Sequence, residues 1–98
     1  MATKEQERIR NLLRTEESKP CEENGVVIWL LNGKRHRKFG PAVVYRSGHR
    51  EWYLYGEKHR ADGPAVECIN GSVDHWIEGE ALSPEDFNNW RDKQNFRI

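Results

Sequence analysis

Short, predominantly apolar runs, several with polar residues at alternate positions, occupy residues 26–31, 42–46, 50–55, 65–69 and 72–77. All are rich in β-branched and aromatic side chains, and such runs read as β-strands with one face turned inward. One phase of the alternation holds Val27, Trp29 and Leu31, then Arg50, Trp52 and Leu54, then Val73, His75 and Ile77. Only Arg50 and His75 interrupt this apolar stripe, which predicts a core face. The opposite phase (His49, Glu51, Tyr53; Ser72, Asp74, Trp76) is amphipathic and suits water, except that Val26, Ile28 and Leu30 need cover.

The runs recur with a fixed period. Gly25, Gly48 and Gly71 are 23 residues apart, as are Gly33, Gly56 and Gly79. His36-Arg37 matches His59-Arg60, and Pro41-Ala42 matches Pro64-Ala65. Trp29 and Trp52 stand in phase, with His75 in the third copy. Each unit reads as a β-hairpin. Ser47-Gly48 and Asn70-Gly71 lie between consecutive strands, where Asn-Gly favours a two-residue turn. Gly33, Gly56 and Gly79 end the outer strands, and Gly40-Pro41 and Gly63-Pro64 open the next ones.

The two ends change period from two to 3.6. Thr3 and Gln6 have capping-box spacing, and Ile9, Leu12 and Leu13 share a face, predicting a helix over about 4–15. Ser83-Pro84-Glu85-Asp86 is a helix start, with Phe87 and Trp90 on one side of the turns that follow. Open repeat arrays need atypical ends, so both helices read as caps. The expected fold is a single mostly β (α+β) domain over residues 1–98, an antiparallel hairpin meander of five or six strands with capping helices at both ends. Residues 1–20 would be the first helix and a linker, 24–82 three repeats, and 83–98 the second helix.

The repeat unit, carried by Asn32-Gly33-Lys34-Arg35-His36 and by W-x-x-x-G-x-x-H spacing, resembles the MORN repeat. Arg37 and Arg60 after the histidines, and Gly-Pro-Ala in place of G-x-G, mark a variant similar to the H-R-x-D-G-P-A repeats of small bacterial and phage-encoded proteins. The resemblance covers residues 24–82 and implies architecture. Such repeats serve as scaffolds, dimerisation surfaces and proposed lipid contacts.

Composition narrows the function classes. The chain has 98 residues, 36% hydrophobic and 33% charged, with ten aromatic residues and no net charge. Zero net charge conceals an asymmetry: residues 26–60 carry eight basic and two acidic side chains, residues 61–98 three basic and eight acidic. Either an ordinary mixed surface or two patches of opposite sign would result. No apolar run is long enough to span a bilayer, and the N-terminal residues lack the apolar stretch of a secretory signal. Cys21 and Cys68 read as reduced thiols in a cytoplasmic protein, in the host cytoplasm if the chain is phage-encoded.

Candidate chemistry is sparse. His36 and His59 share a repeat phase, but two imidazoles fall short of a structural zinc set, and recurrence favours a turn element bonding backbone in the Gly-Pro bend. Asp74, His75 and Cys68 form the sole trio resembling a nucleophile, base and orienter, and ordinary cross-strand packing is the favoured reading of it. The expectation is a non-enzyme without cofactor or metal. Lys34, Arg35, Arg37 and Lys38 make a basic run beside Phe39, readable as a solvated loop, a protein contact, or a phosphate contact to nucleic acid or anionic lipid. Tyr53 and Trp76, flanked by Glu51 and Asp74, read either as an exposed hot spot or as aromatics covered by the C-terminal helix. Together these eight residues form the expected contact set of a protein-binding inhibitor or adaptor, one that blocks a host defence or nucleic-acid enzyme. The alternatives are a nucleic-acid- or lipid-binding module using residues 34–38, or a self-assembling scaffold such as a homodimer.

Overall fold

The computed structural model describes residues 17–95. The helix expected over 4–15 lies outside them. Among the described residues ten strands precede one helix: β1 (Lys19–Glu23), β2 (Val26–Leu31), β3 (Lys34–Arg35), β4 (Val43–Val44), β5 (Arg50–Glu51), β6 (Tyr53–Leu54), β7 (Glu57–Lys58), β8 (Val66–Glu67), β9 (Val73–Ile77), β10 (Glu80–Leu82) and α1 (Pro84–Asn95). Eight strands form one antiparallel sheet, ordered β1-β2-β4-β5-β8-β9-β10 with β3 also on β2; β6 and β7 form a second ladder. The strand count therefore exceeds the five or six expected. The 23-residue period is visible in space, since β2, β5–β6 and β9 are equivalent, as are β3, β7 and β10.

The extra strands arise where each long strand changes partner. Val27 and Ile28 pair with β4, whereas Leu30 and Leu31 pair with β3. Trp29 stands at the switch: its N–H donates to the Ala42 carbonyl at 2.7 Å, and its carbonyl accepts from His36 N–H at 2.9 Å. Trp52 repeats the arrangement with Ala65 and His59, at 2.8 and 3.1 Å. β1 replaces part of the expected linker, pairing along its whole length with β2.

Turn chemistry departs from expectation in an informative way. The two-residue turns with both residues at positive φ are Asn24-Gly25, Asn32-Gly33, Tyr55-Gly56 and Glu78-Gly79, the geometry that matches strand twist. At Ser47-Gly48 only the glycine has positive φ. Gly48 N–H donates to Tyr45, and Tyr45 N–H to His49, both at 2.9 Å. That is a three-residue loop, a type I turn closed by a left-handed glycine. Cys68, Gly71 and Ser72 repeat it.

The molecule is a slab of 43 × 34 × 17 Å, and its thinness redistributes burial. The phase expected to face water is closed around the middle repeat, where Glu51 and Tyr53 are 9% and 8% exposed and Val43 and Val66 are buried. The apolar stripe is only partly covered, with Val73 48% exposed. Among the described residues no second sheet packs over either face of this one, so long side chains and the helix cover it locally. Ser83 caps α1, its Oγ accepting from Asp86 N–H at 3.1 Å. Phe87 is 2% exposed and stacks on His75 at 4.3 Å, a burial worth about 2–3 kcal/mol. The helix thus covers the His75 phase, opposite to Tyr53 and Trp76. No helix among the described residues is long and apolar enough to cross a membrane.

Candidate functional site

The His-Arg-x-x-Gly-Pro element of the first two repeats builds an elaborate local structure. The Arg37 guanidinium lies over the Trp29 ring at 4.0 Å and donates to the Pro41 carbonyl at 3.2 Å. Arg60 lies over Trp52 at 4.0 Å and donates to Pro64 at 3.1 Å. Stacking a guanidinium on indole is favourable, and it also shields an aromatic that a one-layer sheet leaves open. The glycine before each proline makes room: a Cβ at Gly40 or Gly63 would lie 3.0 or 3.1 Å from the arginine Cζ.

The arginines, not the histidines, therefore bond the Gly-Pro bend. Each imidazole instead reaches the next repeat, where Nδ1 accepts a backbone N–H from the first residue of the tight turn. Tyr55 donates to His36 at 2.9 Å and Glu78 to His59 at 3.0 Å. Accepting at Nδ1 places the neutral ring's proton on Nε2. Burial first, and the Lys38 charge second, lower the His36 pKa from 6.5. Among the described residues no three His, Cys, Asp or Glu side chains gather as a metal set would.

Between the two arginine loops runs an open groove of about 510 Å³. It is lined by Trp52 and Leu54, by Lys38 and Phe39 of the first loop, and by Arg60 and Asp62 of the second. Phe39 is 89% exposed at the rim. Arg37 faces the same space. Apolar lining, cationic side chains and an uncovered aromatic together make a surface suited to another macromolecule's side chains.

The expected contact residues disperse. Arg37 and Lys38 line the groove. Arg35 turns to the opposite face, where it donates to Tyr53 Oη at 3.3 Å and stacks on that ring. Lys34 on β3 is exposed. Tyr53 Oη donates to Glu51 at 3.0 Å, and Glu51 meets His49 Nε2 at 3.0 Å. Burial and the neighbouring Glu51 raise the Tyr53 pKa above 10.0. Tyr53 is thus one member of a buried polar chain and not half of an exposed pair. Trp76 is half-buried under Lys58, whose Nζ is 4.8 Å from the ring centre, and Asp74 is exposed beside it. Asp74 and Cys68 share one side of the sheet while His75 lies on the other against Phe87, so the trio does not converge. Cys21 and Cys68 are free thiols.

Phe39, Trp52, Leu54 and Asp62 were outside the expected set. The sequence held one signal for them: Phe39 occupies the repeat phase that Asp62 fills one unit later.

The chain was compared with protein-family models, with curated proteins and with solved structures, and none of the three comparisons returned a match.

Proposed function

We propose that this chain is a non-catalytic protein-binding module, an inhibitor or adaptor that engages its partner through the groove between the Arg37 and Arg60 loops. The observation that carries this reading is Phe39, 89% exposed at the rim of a groove lined by Trp52 and Leu54. An uncovered aromatic beside arginines has the composition of a binding hot spot. The MORN-like repeat pattern accords with this role, since such repeats act as interaction scaffolds. A reducing, cytoplasmic setting belongs to the same reading, with Cys21 and Cys68 as thiols.

Tagged full-length protein and its Phe39→Ser variant, matched in melting temperature, test the proposal by capture from cell lysate. A stoichiometric protein retained by the parent and lost by Phe39→Ser supports it. Retention of nucleic acid or anionic lipid instead, abolished when Lys34, Arg35 and Lys38 become glutamate, replaces it with the basic-surface alternative.

A further inference from the structure

The two arginine loops are built alike and completed differently. In the second repeat Arg60 is paired with two carboxylates: Nε meets Asp62 at 3.0 Å, and an outer nitrogen meets Glu67 at 3.3 Å. Glu67 is itself held by Arg50 at 2.8 Å. One period earlier, the positions of Asp62, Glu67 and Arg50 are Phe39, Val44 and Val27. Arg37 keeps the stack on tryptophan and the bond to the proline carbonyl, and among the described residues it meets no carboxylate. Lys38 adds a second cation to the groove's lining.

We propose that the Arg37 half of the motif receives an acidic segment of a partner protein, whose carboxylate does at Arg37 what Asp62 and Glu67 do at Arg60. The inference rests on the protein-binding reading and specifies the partner's chemistry. A guanidinium already oriented by an indole and a carbonyl forms charge-assisted bonds with little ordering cost. The apolar lining would take an aliphatic or aromatic residue next to the acid, packed against Phe39. A nucleic-acid backbone needs a basic field wider than Arg37 and Lys38, and Arg60 is already paired with Asp62 and Glu67, which favours an acidic peptide over nucleic acid.

The test measures fluorescence anisotropy with a short labelled peptide in which Glu and Asp flank a Trp-Leu pair. Its lysine-substituted counterpart and a short single-stranded DNA serve as comparators. The decisive variant is Phe39→Asp with Val44→Glu, which supplies Arg37 with the internal partners that Arg60 already has; Arg37→Gln is the second. The acidic peptide binds the parent saturably and more weakly as salt rises. Both variants weaken it about tenfold or more, the loss expected for a charge-assisted contact, and keep the parent's circular dichroism. Failure of the acidic peptide to bind, unchanged binding to the double variant, or tighter binding of DNA overturns the proposal. So does a homodimer that the double variant dissociates. A protein captured through Phe39 that the acidic peptide does not displace leaves the binding-module reading standing and removes this one.

Discussion

The seam between the first and second repeats and the seam between the second and third share their backbone bonds almost atom for atom. Gly56 N–H donates to Arg35 at 2.8 Å, and Gly79 N–H to Lys58 at 2.9 Å. Arg37 N–H reaches Tyr53 and Arg60 N–H reaches Trp76, both at 3.2 Å. The side chains diverge. At the first seam His36 is 1% exposed with its ring 4.2 Å from Tyr55, and Arg35, Tyr53, Glu51 and His49 form one bonded chain beside it. At the second seam His59 is half-buried, Asp74 is exposed, and Lys58 covers Trp76. Backbone bonds therefore set the repeat geometry. Side chains then decide how firmly each joint is closed, because buried polar chains are worth most when every member is satisfied.

The largest contrast should come from the histidines. His36→Ala removes a buried ring and leaves the Tyr55 N–H without its acceptor, a combined loss of about 3 kcal/mol. His59→Ala removes the same hydrogen bond at a wetter site, where solvent can replace the imidazole, and should cost about 1 kcal/mol. Urea melts followed by circular dichroism check the difference. Equal losses would mean that the backbone bonds alone set joint strength.

A smaller contrast separates the two acids at equivalent positions. Glu51→Gln keeps an acceptor for Tyr53 but removes the charge facing His49, and should cost about 1–2 kcal/mol. Asp74→Asn, at an exposed position, should stay within about 0.5 kcal/mol of the parent. A loss at Asp74 as large as that at Glu51 would contradict the looser reading of the second seam.

Much of this architecture was legible in the residues because a 23-residue period states the same hairpin repeatedly. Ser83 and Pro84 marked the C-terminal helix for an equally local reason, a cap and a residue suited to the first turn. β1 was not legible. Lys19, Pro20, Cys21, Glu22 and Glu23 are all exposed at the sheet edge, so no apolar alternation distinguishes them from linker. Burial was misread for a different reason. Alternation names two faces, but deciding which is covered requires knowing that Arg37 and Arg60 lie on the tryptophans and that Arg35 closes over Tyr53. Those contacts join residues 8 to 18 positions apart. The groove shares that difficulty, since Phe39 becomes informative only when set against Asp62.

The finest effect at the first seam is in protons. His36 sits beside the Tyr55 ring and near Lys38, and its pKa is lowered from 6.5 by burial, then by that lysine. The unfolded chain therefore binds a proton at His36 more readily than the folded one, and stability must fall where that difference operates. The contribution is fully present above about 6.5, the unfolded value. It is lost progressively as pH drops from there through the lowered folded value. Protonation would also place a hydrogen on Nδ1, opposing the Tyr55 N–H that now donates to it. Urea midpoints measured across mildly acidic pH should decline for the parent. His36→Asn supplies a side-chain acceptor without a titrating ring and should show a shallower decline. An unchanged slope in that variant would move the proton uptake away from the first seam.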